Sequence, residues 1–326
     1  MNASPGSDFR PIQVHTDMAI EARDIVRGAA DQEIPGVRVD EHNLGAVRIT
    51  QVEILEAEAE QLMGKPRGHY ITLDVPTFKE RDPDLKQELI RAIAEEMTGM
   101  IPSALDHSVL VVGLGNWNAT ADALGPRTVE RLLVTRHLEA VVPADLRARM
   151  RPVAAIAPGV LGTTGIETLD IIRGVVKEAK PDLVIAIDAL AARKLERLVG
   201  SVQIADTGIR PGSGVGTQLK GLTEEAVGVP VVAVGVCTVV QSISIAQEAV
   251  GLLANQLKGS AKFYDILREF NGDEQRDLIN EVLGSRLGDL MVTPKEIDVL
   301  VNDMADVLAE ALNRVLQPRL DPEEWR

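Results

Sequence analysis

Apolar and polar residues alternate with a period of two in the first part of the chain. The alternation covers VRV (37–39), AVRITQVEIL (46–55) and HYITLDV (69–75), and it predicts an antiparallel sheet with one solvent-facing side. Helices are predicted on either side of it, from Asp17 to about Gly28 and over residues 82–101, where Asp82 and Pro83 open the helix. Residues 18–100 are therefore predicted to form an N-terminal α+β subdomain.

The hydrophobic pattern changes near residue 108. Three apolar runs lack alternation and are separated by helical stretches: VLVVGLG (109–115), LVIAID (183–188) and VPVVAVGV (229–236), with RPVAAIAPG (151–159) as a weaker fourth. Such runs are typical of parallel strands that helices cover on both faces. Thr164 and Glu167 have capping-box spacing and predict a helix to about Ala179. Residues 101–259 are therefore predicted to be an α/β core with a mostly parallel sheet.

The two ends of the chain differ from this core. Residues 1 to about 16 mix Ser, Pro, Gly and Asp without a periodic apolar pattern, which predicts a flexible leader. Residues 260–326 are charged and helical, and MVTPKEIDVLVNDMADVLAEALNRVL (291–316) is their clearest amphipathic segment. We expect this helical C-terminal segment to pack against the core.

Composition narrows the class of protein. The chain has 326 residues, 45% of them hydrophobic, so it can bury a substantial core. Its formal net charge of -15 argues against direct binding of nucleic acid, which needs a surplus of Lys and Arg on one face. A single cysteine, Cys237, excludes an internal disulfide framework. No signal peptide or membrane span is evident, so we expect a soluble intracellular protein.

The residues that follow the central strands are the candidates for chemistry, because ligands of open α/β sheets bind at the carboxyl ends of the strands. GLGNWN (113–118) has Asn118 where the third glycine of a dinucleotide fingerprint would stand. GSGVG (212–216) lacks the Lys-Ser/Thr ending of a phosphate loop. The histidines are scattered, and Cys237 lies in an apolar run that predicts a core position. We predict no cofactor and no metal, with a nucleotide-dependent oxidoreductase as the alternative.

Asp122 and Asp188 each follow a central strand and precede a segment of helix formers. Each one alone is most simply interpreted as a helix N-cap. Two carboxylates at the same sheet edge can instead repel each other, separate their pKa values, and serve as general base and general acid on a water that attacks an amide. The spacing in the sequence leaves both interpretations open.

Several long segments resemble the germination proteases of spore-forming bacteria. They are LVVGLGNWNATADALGPRTVERLLVTRHL, APGVLGTTGIETLDII, KPDLVIAIDALAAR and IADTGIRPGSGVG, with TDMAIEA near the start and LMVTPKEID near the end. The resemblance implies an atypical aspartic endopeptidase that degrades small acid-soluble spore proteins, with a fold similar to that of hydrogenase maturation proteases. It also implies that Asp122 and Asp188, which stand in ADALGP and AIDALAA, are the catalytic pair.

Processing and assembly are further implications of the resemblance. It implies a homotetramer, located in the developing spore, that is made as an inactive zymogen and removes its own propeptide. Cleavage after an acidic residue, before a hydrophobic residue followed by Ala, matches Asp17, Met18 and Ala19, so residues 1–17 are the predicted propeptide. A helix cap formed by Thr16 and Asp17 is the alternative explanation of the same residues.

Other positions receive weaker assignments. The chain departs from the family pattern at three positions, so no role is transferred to them: Thr217, Cys237 and Gln241. Four residues are predicted from their positions to donate hydrogen bonds to substrate or to the developing oxyanion: Asn116, Asn118, Thr163 and Thr164. The kinship in fold also makes a non-enzymatic, metal-carrying maturation factor an alternative.

Overall fold

The computed structural model describes residues 16–28, 33–75, 82–210, 220–256 and 290–321. The strands are β1 Val37–Leu44, β2 Val47–Ile54, β3 Gly68–Asp74, β4 Val109–Gly113, β5 Val153–Ile156, β6 Leu183–Ala192, β7 Ser201–Ala205, β8 Val231–Gln241 and β9 Met291–Val292. The α-helices are α1 Ala19–Arg27, α2 Ala57–Met63, α3 Pro83–Thr98, α4 Leu124–Val129, α5 Ala144–Arg147, α6 Leu161–Thr164, α7 Thr168–Ala179, α8 Glu224–Val227, α9 Ser242–Gln256 and α10 Ile297–Leu316.

Within the described residues, nine strands form one sheet, in which β1-β2-β3-β7-β8-β6-β4-β5 lie side by side and β9 pairs with β8. The strands β5, β4, β6 and β8 are mutually parallel, whereas β1, β2, β3 and β7 are antiparallel to their neighbours. The predicted antiparallel strands and the predicted mostly parallel α/β core are therefore both confirmed. Pairing of β3 with β7 joins the two sets of strands into one continuous sheet.

Helices cover both faces of the parallel strands, as the continuous apolar runs predict. Alternate side chains point to opposite faces. Leu110, Val112, Val184 and Ala186 pack on the side of α7, in a core cluster with Leu169, Ile172 and Val176. The intervening residues Val109, Val111, Ile185 and Ile187 belong to the larger core cluster, which also contains the apolar faces of α3 and α10. The packing of α10 on α3 and α4 confirms the predicted C-terminal packing helix.

The structure corrects three local predictions. β6 does not stop at Asp188 but runs to Ala192, because β8 pairs with it along that whole length and overrides the helical propensity of DALAAR. The helix predicted from Thr164 begins only at Thr168, since Thr164 belongs to the separate short helix α6, which Gly165 ends. β7 was not predicted. Three predicted features lie outside the described residues: the leader 1–15, the loop GSGVG and the segment 260–289.

Candidate active site

Asp122 and Asp188 line one cavity of about 390 Å³ at the carboxyl ends of β4 and β6. Asp17, which comes from the other end of the sequence, lines the same cavity. Most of the remaining wall is apolar, with Leu161, Leu169, Ile172, Leu222, Val239 and Met291, while Glu167 and Lys220 add one charge of each sign. The sheet therefore brings the two predicted catalytic carboxylates together, in a cleft large enough for a stretch of peptide.

Asp188 is a buried acid, with only 5% of its surface exposed. It lies in β6 on the side of α7, two residues beyond Ala186, and its Oδ1 accepts a hydrogen bond of 2.9 Å from the N–H of Ala189. Burial raises the pKa of Asp188 well above its usual value, and the neighbouring charges of Asp122 and Asp17 raise it further. The helix-cap interpretation of Asp188 is wrong, because the residues that follow it continue the strand.

Asp122 ends a 3-10 turn, Thr120–Asp122, that follows β4. Its Oδ2 accepts a hydrogen bond of 2.8 Å from the N–H of Asn116. Burial raises the pKa of Asp122, and the hydrogen bond from Asn116 opposes that rise. The helix-cap interpretation is wrong here too, since Ala123 occupies the N-cap position of α4 and no side chain caps that helix within the described residues.

Glycines explain how the Asp122 turn comes so close to the sheet. Gly115 has a φ of +112°, and a Cβ there would overlap the carbonyl oxygen of Asp122. A Cβ on Gly113 would overlap the carbonyl of Gly125 at the start of α4, and a Cβ on Gly125 would overlap the carbonyl of Leu114. The glycines of GLGNWN therefore serve close backbone packing that places Asp122, rather than a phosphate cradle.

None of the four predicted substrate donors is among the residues that line this cavity, and all four form hydrogen bonds within their own loops. Asn118 donates its N–H to Oδ1 of Asn116 at 3.0 Å, and Asn116 donates its own N–H to Asp122. Thr163 and Thr164 are exposed, and both donate their hydroxyls to the carbonyl of Val160. Their role as donors to a substrate stays a prediction. Cys237 is fully buried, which confirms its predicted place in the core.

The predicted cleavage junction is anchored to the wall of this cavity. Asp17 donates its N–H to the carbonyl of Ala191 at 3.1 Å, and its Oδ2 accepts the N–H of Ala191 at 2.8 Å. Its carbonyl oxygen accepts hydrogen bonds from Nζ of Lys65 at 3.0 Å and from Nε2 of Gln203 at 3.1 Å. Met18 is fully buried and occupies the N-cap position of α1. Asp17 thus holds on to β6 instead of capping the helix.

Lys65 and Gln203 were not singled out from the sequence. Lys65 follows the glycine that ends α2, and Gln203 lies in β7, the strand that was not predicted. Neither position belongs to a motif. Lys65 lies 48 residues from Asp17 in the sequence, and Gln203 lies 186 residues from it. Only the assembled sheet shows their common target.

The described residues contain neither a metal-ligand cluster nor a membrane-spanning helix. Across those ranges, no cluster of three or more His, Cys, Asp or Glu side chains is arranged to hold a metal ion. The helices in the same ranges include none with the length and apolar character needed to cross a bilayer.

Comparison with known proteins identifies the family. The model of the germination proteases matches residues 14–262 and 253–326. The chain belongs to the germination protease family. It is 46% identical to the germination protease of Caldanaerobacter subterraneus subsp. tengcongensis over 95% of this chain and 96% of that one, and 40% identical to that of Bacillus subtilis over 97% and 96%.

Membership in the germination protease family makes the chain a peptidase, as the resemblance in sequence implied. A solved structure that the fold comparison returns is a [NiFe] hydrogenase maturation protease, HycI, from Thermococcus kodakarensis, 18% identical. It covers 68% of this chain and 98% of its own length with a TM-score of 0.35.

Proposed function

We propose that this germination protease is an aspartic endopeptidase in which Asp122 and Asp188 activate one water molecule. The observation that carries the proposal is the shared cavity: both carboxylates line it, and the charge of Asp122 raises the pKa of Asp188. Such an effect requires the two groups to be near each other, and it favours the state in which one of them is protonated and the other is ionised. Acid–base cleavage of an amide needs one such group to accept a proton from water and the other to donate a proton to the amide.

The environments of the two acids favour different roles. Asp188 is the more deeply buried, and its raised pKa favours the protonated form, so it is the proposed donor to the amide carbonyl or to the leaving nitrogen. Each acid accepts one backbone N–H, so burial makes the difference: the pKa of Asp122 is raised less than that of Asp188, and Asp122 is the proposed base that takes the proton of the attacking water. The sequence left this assignment open, and the burial of the two side chains supports it.

The substrates are proposed to be the small acid-soluble, DNA-binding proteins of the spore, degraded during germination in the spore core. The chain itself is proposed to be a homotetrameric zymogen that cuts between Asp17 and Met18. Two observations support self-processing: Asp17 lines the same cavity as the two catalytic acids, and its carbonyl is held by side chains of the folded core. The net charge of -15 suits basic protein substrates rather than DNA itself.

The test replaces the acids one at a time by their amides, as Asp122→Asn and Asp188→Asn, with Asp170→Asn on the exposed face of α7 as the control. Removing a general acid or base costs about 10²- to 10⁴-fold in rate. We expect losses of that size for the first two variants, both in cleavage of a purified spore DNA-binding protein and in release of the leader. Wild-type rates in either variant, with the fold intact by circular dichroism, would exclude the dyad.

The oxidoreductase alternative loses its support in the described residues. The Asn116 N–H, which a dinucleotide loop would offer to phosphate, is already bonded to Asp122. Gly115 is explained by its contact with the same aspartate. The peptidase family accounts for the loop without a nucleotide.

A further inference from the structure

Asp17 occupies a well-formed site. Beyond Ile187, where β4 has ended, the edge of β6 runs on beside the cavity, and Asp17 binds there to both backbone groups of Ala191. A main chain that pairs with a sheet edge is a common way for a folded domain to hold an extended peptide. The residue before the predicted scissile bond is thus fixed at its N–H, its carboxylate and its carbonyl.

The carbonyl of Asp17 is held by two side chains that do not belong to β6. Lys65 directs its Nζ at the carbonyls of both Thr16 and Asp17, each at 3.0 Å. Gln203 donates to the carbonyl of Asp17 and accepts the N–H of Ala19 at 2.7 Å, so its amide bridges the predicted scissile bond. Two donors on one carbonyl both position that group and polarise it.

The charges around this position favour an acid. Nζ of Lys65 bonds to the carbonyl oxygen of Asp17 at 3.0 Å, so its positive charge lies close to the carboxylate of the same residue and attracts it. This attraction opposes the fall that burial causes in the pKa of Lys65. The carboxylate of Asp17 also has the N–H of Ala191 as a partner. An amide in place of the carboxylate would lose the attraction of Lys65 while it kept nearly the same shape.

We propose that Lys65, Gln203 and the backbone of Ala191 form the subsite for the acidic residue that precedes the scissile bond. The leader fills the subsite through Asp17 before processing, and an acidic residue of a protein substrate fills it afterwards. This inference rests on the proposed self-processing endopeptidase. It adds the groups that recognise the acid: Lys65 acts on the carbonyl of that residue and on its charge, and Gln203 acts on the main chain alone.

A double-mutant cycle on the full chain tests the charge. Release of the leader is timed by intact mass spectrometry for wild type, Asp17→Asn, Lys65→Met and the double variant. We expect Asp17→Asn to slow release by about tenfold in the presence of Lys65, the size of one charge-assisted contact. In the Lys65→Met background, Asp17→Asn should slow release of the leader by less than about threefold, because the cation that distinguishes acid from amide is absent. Lys65→Arg should restore part of the tenfold difference.

Gln203 is the comparison for Lys65, because it contacts the main chain and not the charged group of Asp17. Gln203→Leu should slow release by the same factor in the wild-type background and in the Asp17→Asn background, since its amide contacts only backbone atoms. Melting temperatures of all variants in an Asp188→Asn background separate a slower cut from a damaged fold. An equal penalty for Asp17→Asn with and without Lys65 would overturn the subsite.

Failure of the subsite and failure of the dyad give different results. If wild type leaves the bond 17–18 intact but cleaves a separate protein through Asp122 and Asp188, the subsite is refuted and the dyad stands. If release shows the expected cycle but survives Asp122→Asn and Asp188→Asn, the dyad is refuted and the subsite stands.

Discussion

The carboxyl group of Asp188 is buried and has two other acids, Asp122 and Asp17, as neighbouring charges. Each of those circumstances opposes ionisation, and together they raise the pKa of Asp188. A group whose folded-state pKa is raised costs stability once the pH exceeds its unfolded value, because the unfolded chain ionises freely and the folded chain does not. The feature that equips Asp188 as an acid therefore destabilises the fold near neutral pH.

Asp188→Asn should consequently raise the free energy of unfolding while it abolishes cleavage. We expect a gain of about 1–3 kcal/mol at pH 7, within the usual range for a single substitution, because the neutral amide removes the cost of burying a carboxyl group that ionises freely in the unfolded chain. The gain should shrink as the pH falls toward about 4, where the unfolded aspartate also takes up a proton. Urea unfolding between pH 5 and pH 8 measures it. For Asp170→Asn, on the surface, the free energy of unfolding relative to wild type should not vary with pH in this way. An Asp188→Asn protein that is no more stable than wild type at pH 7 would contradict this explanation.

At the scale of elements, the turn between β4 and α4 determines where Asp122 stands. Gly115 has a left-handed backbone conformation, with φ +112°, and lies against the carbonyl of Asp122. Both features exclude a side chain at this position. The position of the proposed catalytic carboxylate thus depends on a residue without a side chain, seven positions earlier in the chain.

Gly115→Ala should displace the Asp122 turn and reduce cleavage sharply. Backbone strain of this kind costs about 1–3 kcal/mol, so the melting temperature should fall as well. Gly174→Ala is the matched control, because Gly174 lies within α7 and a Cβ there meets no atom within 4 Å. That change should stabilise the protein by about 0.5–1 kcal/mol and leave the rate unaltered. Full activity of Gly115→Ala would show that the turn does not position Asp122.

Most elements could be predicted from the sequence because their signals are local. Asp82 caps α3 by accepting the N–H of Asp84, and the apolar runs of β4, β6 and β8 are long enough to specify buried strands. The last residues of β6 could not be predicted, since only the pairing with β8 makes DALAAR extended. The choice of Asp122 and Asp188 followed from the strand ends. The contacts of Asp17 with Lys65 and Gln203 are non-local, and no local pattern marks them.

At the scale of the whole molecule, the end of α10 is joined to the start of β5 by buried polar groups. Gln317 accepts the N–H of Arg151 at 3.0 Å and donates to the carbonyl of Arg151 at 2.9 Å. Arg151 is itself buried, and its guanidinium donates to the carbonyls of Pro102 and His107. Because α10 packs on α4, this connection supports the helix that follows the Asp122 turn.

Gln317→Leu should lower the free energy of unfolding by about 1–3 kcal/mol, because it leaves the N–H of Arg151 buried without its partner. Chemical denaturation measures the loss. Arg319→Ala, two residues away with an exposed side chain, should change it by less than about 0.5 kcal/mol. Similar values for the two variants would show that the connection contributes little.

The bond between Asp17 and Ala191 also affects the order of events during synthesis. The two residues are 174 positions apart, so the leader leaves the ribosome long before β6 exists to receive it. Asp188 belongs to that same strand, so the proposed catalytic acid and the binding position of Asp17 are produced together. Residues so far apart in the sequence can pair only after the later segment has been synthesised. In the proposed self-processing, the junction between Asp17 and Met18 therefore cannot meet both proposed catalytic acids before β6 has been made.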